Sequence, residues 1–173
     1  MSPDAFTPLR TDRLDLSPGS EEALDFLHRL WTDPDVRRFL WDDRVITLEE
    51  ARAAVGGCRA LWILRDRRDG EGIGFCALRD FDEPPRLELI YGLQPGRWRE
   101  GLATEASVAA LHYAFDEMKV GRVFAGADAP NLRSLRVIER LGMAFEGQWT
   151  IGGVRTLYYS IDAETFRRRT PPG

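Results

Sequence analysis

The spacing of the β-rich segments changes near residue 95, and this change constrains the fold more than any other feature of the sequence. Before it, the segments LWILRD, GIGFCALRDF and RLELIYGL follow one another through two turn signals, Asp69-Gly70 and Glu83-Pro84-Pro85. Strands spaced in this way predict an antiparallel meander. After it, helical patterns separate the strands, and helical crossovers connect strands that run parallel. The sequence therefore predicts one mixed α/β sheet.

Capping residues delimit the predicted helices. Ser20 and Thr47 precede two amphipathic segments early in the chain, where they are suited to accept hydrogen bonds from the first turn. Two later helices are predicted from about 101 to 118 and from 132 to 141, and a hairpin is predicted around Gly152-Gly153. The alternation of these elements predicts helices packed on the sheet.

Length and composition limit the classes of protein that fit. The 173 residues favour a single domain spanning 1–173, and the net charge of −4 argues against an extended nucleic-acid surface.

The two cysteines, Cys58 and Cys76, have no metal-ligand spacing and predict free thiols, although a lone disulfide is an alternative. No basic and apolar leader or run of about 20 apolar residues is present, which predicts a cytoplasmic protein without a membrane span. The last residues, about 167–173, are predicted to be a frayed tail or, alternatively, a basic docking segment.

The segment RWREGLATEA places a cationic, glycine-containing turn directly before the long helix. The first backbone N–H groups of a helix have no partner within the helix and attract anions. Gly101 permits close backbone approach, and Arg97 and Arg99 could add charge-assisted hydrogen bonds to a phosphate. Taken alone, the same residues also fit an ordinary structural turn.

A second helix start follows the next predicted strand. In the segment DAPNLRSLRVIERLGM, Asn131 is the expected N-cap and Ser134 stands three residues later. If the strand before it neighbours RLELIYGL, two helix N-termini open on the same side of the sheet. One phosphate-containing ligand could then lie between them.

Taken together, these segments resemble the GNAT N-acetyltransferases, in particular the RimJ and RimL type. The resemblance is carried by LRTDRLDL, DPDVRRFL, WREGLATEA and NLRSLRVIERLGM, and extends from about Leu9 to Ile161. It implies a single domain with a mixed, mostly antiparallel sheet that splays apart between its two central parallel strands, and with helices on both faces. It also implies that acetyl-CoA inserts between the splayed strands as the cosubstrate, without a metal.

The resemblance implies a set of cofactor-binding residues. The backbone of Tyr91 and Leu93 would pair with the pantetheine arm, and the turn before the long helix would hold the pyrophosphate. Trp98 stands at the Gln or Arg position of the family turn, and Arg99 replaces its first small residue. The complete set is Tyr91, Leu93, Trp98, Arg99, Gly101, Leu102, Ala103, Thr104, Asn131 and Ser134.

Three candidates for catalysis follow from the resemblance and the chemistry of amide formation. The N–H of Leu93 would stabilise the developing oxyanion, and the Ser134 hydroxyl would lie near the sulfur. Ile138 stands where many relatives carry a tyrosine, and Gly126 where some carry a glutamate base. Glu88 is therefore the candidate base, with an ordinary solvent-facing or paired carboxylate as the alternative; the amine could also arrive neutral.

The predicted activity is direct transfer of the acetyl group to a primary amine in a ternary complex. The acceptor would be a protein N-terminal amine or a small amino compound, and Arg38 and Trp41 belong to the region that shapes the acceptor site in relatives. A non-catalytic acyl-CoA sensor of the same fold is the alternative. Neither nucleic acid nor membrane is an expected partner; a homodimer would fit family habit, although the sequence identifies no interface.

Overall fold

The computed structural model describes residues 7–81 and 86–170, so the turn predicted at Glu83-Pro84-Pro85 lies outside the described residues. The strands are β1 (Leu9–Arg10), β2 (Leu14–Pro18), β3 (Cys58–Asp66), β4 (Gly72–Phe81), β5 (Arg86–Leu93), β6 (Arg122–Asp128), β7 (Ala144–Ile151) and β8 (Val154–Asp162). The helices are α1 (Leu24–Thr32), α2 (Pro34–Arg37), α3 (Leu48–Gly56), α4 (Leu102–His112), α5 (Leu132–Leu141) and α6 (Ala163–Arg169). A π-helical turn, Tyr113–Glu117, continues α4.

The strands form one sheet in the order β1-β2-β3-β4-β5-β6-β8-β7. The predicted meander is confirmed, because β3, β4 and β5 pair antiparallel with their neighbours. Strands β5 and β6 are parallel and share a single register pair, Glu88 with Phe124, so they diverge beyond it. The predicted fold class, a mixed sheet that splays between two central parallel strands, is confirmed.

Helices cover both faces of the sheet, as predicted, and two buried clusters hold them there. On one face, α1 and α3 pack on side chains that include Leu61 and Phe75. On the other, α4, α5 and α6 pack on alternate residues of the same strands, such as Trp62 and Cys76. Successive side chains of a strand point to opposite faces, so one apolar strand supplies both clusters. In the described part of the chain, no helix is both long and apolar enough to cross a membrane.

Two of the three predicted helix caps are confirmed. Thr47 and Glu50 form the reciprocal capping box at the start of α3, and Asn131 accepts a hydrogen bond from the N–H of Ser134 at 3.2 Å. The Ser20 side chain accepts no capping hydrogen bond. A short 3₁₀ turn, Glu21–Ala23, follows Ser20, and α1 begins only at Leu24.

A short helix precedes the end of the described chain. Residues 163–169 form α6, which includes the first three residues of the segment predicted to be a tail; residues 171–173 lie outside the described part. Phe166 anchors this helix, because it is 1% exposed and its ring centre lies 5.3 Å from that of Phe115. Asp162 caps the helix by accepting a hydrogen bond from the N–H of Thr165 at 2.7 Å. A single aromatic anchor and a cap therefore order this end of the chain.

An ion-pair network fastens the turn before α4 to the hairpin between β3 and β4. Asp66 is only 3% exposed and accepts hydrogen bonds from Arg68 Nη2 at 2.6 Å and from Arg97 Nη2 at 2.5 Å. Arg97 also pairs with Glu100 at 3.0 Å. The hydrogen bonds from Arg68, and after them the one from Arg97, hold the pKa of Asp66 far below its ordinary value. This carboxylate therefore fixes the position of the turn.

We predict that Asp66→Asn destabilises the fold in a pH-dependent way. Because the pKa of Asp66 is lowered in the folded chain, its ion pairs contribute fully above its unfolded value of about 4, and this contribution is lost as the pH falls further. Urea unfolding should show a deficit for D66N at about pH 7 that shrinks as the pH drops below about 4. The exposed Asp12→Asn serves as the control and should behave like wild type. A deficit that stays constant with pH would contradict the ionic role of Asp66.

Candidate functional site

A cavity of about 370 Å³ opens beside the diverging end of β5. Its walls come from the end of β5, the turn and first residues of α4, the α5 helix and the region of α2. All ten residues predicted to bind a cofactor line it: Tyr91 and Leu93 from β5, Trp98 and Arg99 from the turn, Gly101, Leu102, Ala103 and Thr104 at the start of α4, and Asn131 and Ser134 at the start of α5.

The turn before α4 presents unpaired backbone N–H groups to this cavity. Gly101 has a φ of 80° and Arg99 a φ of 69°, so the chain turns sharply before the helix begins. Among the described residues, none accepts a hydrogen bond from the N–H groups of residues 99–104. The hydroxyl of Thr104 is also buried without a partner in the described part. Free donors at a helix N-terminus are a feature that attracts anions in proteins generally.

Four arginines line the cavity with no carboxylate partner within 4.0 Å in the described chain: Arg99, Arg133, Arg136 and Arg140. The guanidinium of Arg133 lies 3.8 Å from the centre of the Trp98 ring. Arg97, which the sequence suggested as a phosphate ligand, is instead held by Asp66 and Glu100. The cavity therefore concentrates positive charge in a protein whose net charge is −4.

Sequence reasoning missed three of these arginines. Arg133, Arg136 and Arg140 recur along α5, opposite its buried residues Ile138 and Leu141. The spacing of three and four residues between the arginines was the signal that could have found them, because such residues share one helix face. Their value as phosphate ligands depends on that face pointing at the α4 N-terminus.

The backbone of β5 points into the gap between the strands. Gln94 donates to the carbonyl of Ile73 at 2.9 Å, and hydrogen bonding alternates along an antiparallel pair. The N–H groups of Leu93 and Tyr91 are therefore turned away from β4 and toward β6. The indole of Trp98 donates to the Leu93 carbonyl at 2.9 Å, which fixes the peptide on that side. The Leu93 N–H therefore takes no part in the ladder with β4.

Tyr91 and Ser134 meet inside the cavity. The phenol oxygen of Tyr91 lies 2.8 Å from Ser134 Oγ and 3.2 Å from the Ser134 carbonyl oxygen, and either oxygen can accept its single proton. Burial raises the pKa of the Tyr91 phenol, so that it stays protonated. Ile138 is 1% exposed and packs in the core, away from this pair.

Glu88 lies outside the residues that line the cavity. It is 6% exposed, and its Oε2 accepts a hydrogen bond from Arg79 Nε at 2.9 Å and lies 2.8 Å from Arg79 Nη2 in an ion pair. Burial raises the pKa of Glu88, and the neighbouring Arg79 opposes that shift. Its Oε1 is directed toward Gly126 on β6, where a Cβ atom would come within 3.4 Å of it. The carboxylate therefore sits near the point where β5 and β6 part.

The two predicted acceptor residues are also absent from the cavity lining. The Arg38 guanidinium lies 5.3 Å from the Phe39 ring centre, and Trp41 packs 5.7 Å from Trp31. From this region the cavity is lined instead by Asp35, Val36, Phe39 and Leu40.

Asp35 is the carboxylate of this wall, and sequence reasoning overlooked it. It is exposed, and the described part of the chain offers it no ion-pair partner within 4.0 Å. The segment DPDV could have indicated it: the Asp33 side chain caps α2, whereas the Asp35 side chain is not needed for capping. Within the described ranges, 7–81 and 86–170, no group of three or more His, Cys, Asp or Glu side chains is arranged to hold a metal ion.

The sequence is similar to those of a known protein family. The model of the acetyltransferase (GNAT) domain matches residues 13–144. The uncharacterized protein YkkB of Bacillus subtilis is 32% identical over 151 residues, covering 82% of this chain and 88% of that protein.

Two solved structures share the fold at low identity. The spermidine N-acetyltransferase of Vibrio cholerae, in complex with CoA and spermine, has a TM-score of 0.77 at 16% identity and covers 90% of this chain and 99% of its own. RimL, the ribosomal L7/L12 alpha-N-protein acetyltransferase in complex with CoA, has a TM-score of 0.76 at 16% identity, with 92% and 99% covered. The match of the domain over most of the chain, together with the relative at 32% identity, shows that the protein belongs to the GNAT acetyltransferase family.

Proposed function

We propose that the protein transfers the acetyl group of acetyl-CoA directly to a primary amine within a ternary complex. One observation carries this proposal: the N–H groups of residues 99–104, which have no acceptor, and four arginines without a carboxylate partner surround the same cavity. A pyrophosphate accepts several hydrogen bonds and carries negative charge, so it complements both features. The acceptor would be a protein N-terminal amine or a small amino compound.

The diverging strands would hold the rest of the acetyl donor. The outward-facing peptide groups of Tyr91 and Leu93 can pair with an extended amide chain as a neighbouring strand would. The Leu93 N–H would then stabilise the negative charge that develops on the thioester oxygen. Held next to each other, the amine and the thioester react with a large advantage from proximity alone.

The acceptor would enter along the wall formed by α2. Asp35 supplies a negative charge there, and Val36, Phe39 and Leu40 supply apolar contact. An amine arrives in water mostly as a cation, so an unpaired carboxylate favours its approach.

We place the enzyme in the RimJ and RimL type branch and in the cytoplasm. The cytoplasmic placement is supported by two cysteines that are free thiols in the structure. A homodimer is compatible with this proposal.

A second candidate, a sensor that binds acyl-CoA without turnover, is favoured by two observations. Ile138 is buried where a catalytic tyrosine is common, and Glu88 is held by Arg79 outside the cavity. Thiol release from acetyl-CoA distinguishes the candidates when it is measured with peptides that carry a free N-terminal amine and with small amines. The same peptides with blocked N-termini are the control. Tight acetyl-CoA binding without amine-dependent thiol release would reject the enzyme and favour the sensor.

We predict that Gly101→Asp removes acetyl-CoA binding. Aspartate tolerates the φ of 80° better than most residues, but it places a negative charge at the proposed phosphate site. Calorimetry should show an affinity at least about 100-fold weaker than wild type. Gly101→Asn is the matched control, because it has the same shape without the charge and should lose about tenfold or less.

The comparison of the two variants separates charge from shape. Circular dichroism should show that both remain helical. Equal affinities of G101D and G101N for acetyl-CoA would mean that no phosphate lies at this turn, and would overturn the placement of the donor.

We predict that Glu88, if it acts as the base, leaves a signature in the pH dependence of kcat/KM. The acceptor amine titrates between about 8 and 10 and gives a slope of about one below its own pKa. Below the pKa of Glu88, protonation of this second group should steepen the slope to about two. Because burial raises the pKa of Glu88, this change of slope should occur at a higher pH than it would with an ordinary glutamate as the base.

The variant Glu88→Gln tests this assignment. Its profile should keep a slope of about one over the whole acid limb, with a lower kcat at neutral pH. Glu164→Gln, at an exposed position on α6, is the control and should keep the wild-type profile. A wild-type slope that never exceeds about one would mean that the amine arrives neutral without help from Glu88.

A further inference from the structure

The pair formed by Tyr91 and Ser134 links two elements at the centre of the cavity. Tyr91 stands on β5, and Ser134 lies in the first turn of α5. Their hydroxyl oxygens are 2.8 Å apart, and the Ser134 carbonyl is 3.2 Å from the phenol oxygen. Among the described residues that line the cavity, hydroxyl groups belong only to Tyr91, Ser134 and Thr104. Thr104 lies at the phosphate turn, so the pair supplies the hydroxyl groups at the level of the splayed strands.

Tyr91 has one hydroxyl proton and two acceptors within reach, which gives the pair two arrangements. In the first, the phenol donates to the Ser134 carbonyl, and the Ser134 hydroxyl donates back to the phenol oxygen. The serine proton is then used within the pair. In the second, the phenol donates to Ser134 Oγ, and the serine proton is free to point into the cavity.

We propose that Tyr91 is a positioning residue that donates to Ser134 Oγ and thereby directs the Ser134 hydroxyl at the sulfur of the departing CoA. This inference rests on the proposed acetyl transfer. In that step the amine lone pair forms the C–N bond, the C–S bond breaks, and its electron pair leaves on sulfur. The amine loses one proton to the base or to water, and the sulfur gains one from water. The Ser134 hydroxyl stabilises the thiolate by a hydrogen bond in the interval.

The surroundings of the pair support a donor role for the phenol rather than an acid role. Burial raises the pKa of Tyr91, so that the phenol retains its proton and does not reprotonate the thiolate itself. Ile138, one turn beyond Ser134, has no polar group and is 1% exposed. The Asn131 side chain already accepts a hydrogen bond from the N–H of Ser134 at 3.2 Å, which fixes the serine backbone. Ser134 is therefore held by its neighbours from two sides, with only its proton left to be directed.

Kinetics of three variants test the proposal: Tyr91→Phe, Ser134→Ala and the double variant. Each single variant should lower kcat by about tenfold or more, because a hydrogen bond to a developing anion is lost, with KM for acetyl-CoA and for the amine unchanged. The double variant should be no slower than S134A alone, since Tyr91 acts through the serine. Ser134→Thr keeps the hydroxyl and should retain most of the activity.

Tyr113→Phe is the matched control. Tyr113 packs 5.0 Å from Trp62, outside the cavity, and its variant should keep the wild-type kcat. If Y91F keeps the wild-type kcat, or if the losses of the two single variants multiply in the double variant, the proposal is overturned. Multiplied losses would mean that Tyr91 only fastens α5 to the sheet.

A binding measurement makes the test independent of turnover. The thiol of CoA bound to wild type, Y91F and S134A is titrated through the ultraviolet absorbance of the thiolate. We expect the bound thiol to be more acidic in wild type than in both variants, by about one pH unit, which corresponds to tenfold. If wild type releases no CoA with any amine, acetyl transfer is rejected, and this titration alone decides. Equal acidity in the three proteins would overturn the role of Tyr91 whether or not the protein is an enzyme.

Discussion

The rest of the structure depends on the incomplete pairing of β5 and β6. A parallel pair normally continues along the whole length of its strands, but here one register pair holds the two together and the backbone beyond it has no partner strand. Unpaired peptide groups in a protein interior are costly unless water, a side chain or a ligand satisfies them. The gap therefore opens beside the α4 and α5 N-termini, and the residues at the end of β5 and at these two helix starts line one cavity.

The distribution of charge follows the same geometry. The chain carries a net charge of −4, yet four arginines around the cavity have no carboxylate partner in the described residues. Repulsion among like charges normally leads a protein to pair or spread them. Arg97 illustrates the usual solution, since Asp66 and Glu100 take up its charge. Around the cavity, by contrast, no carboxylate of the described residues balances Arg99, Arg133, Arg136 and Arg140 within 4.0 Å.

The fold, and the cavity walls formed by β5 and the start of α4, could be predicted from the sequence because their determinants are local. Strand spacing, the Thr47 capping box and the glycine turn at Gly101 each act over a few residues. The wall near α2 could not, because it depends on where this helix of only four residues lies relative to the sheet. For that reason Arg38 and Trp41 were expected where the structure has Asp35 and Phe39. The helix α6 was not predicted, because it depends on the distant packing of Phe166 on Phe115.

Trp98 contacts two different parts of the cavity wall, β5 and α5. One edge of its indole holds the Leu93 carbonyl, while its face carries the Arg133 guanidinium. The same rigid ring thus sets the orientation of a peptide on β5 and of a cation on α5. Neither contact can be changed without disturbing the other, so a smaller side chain at this position would release the peptide and the guanidinium together.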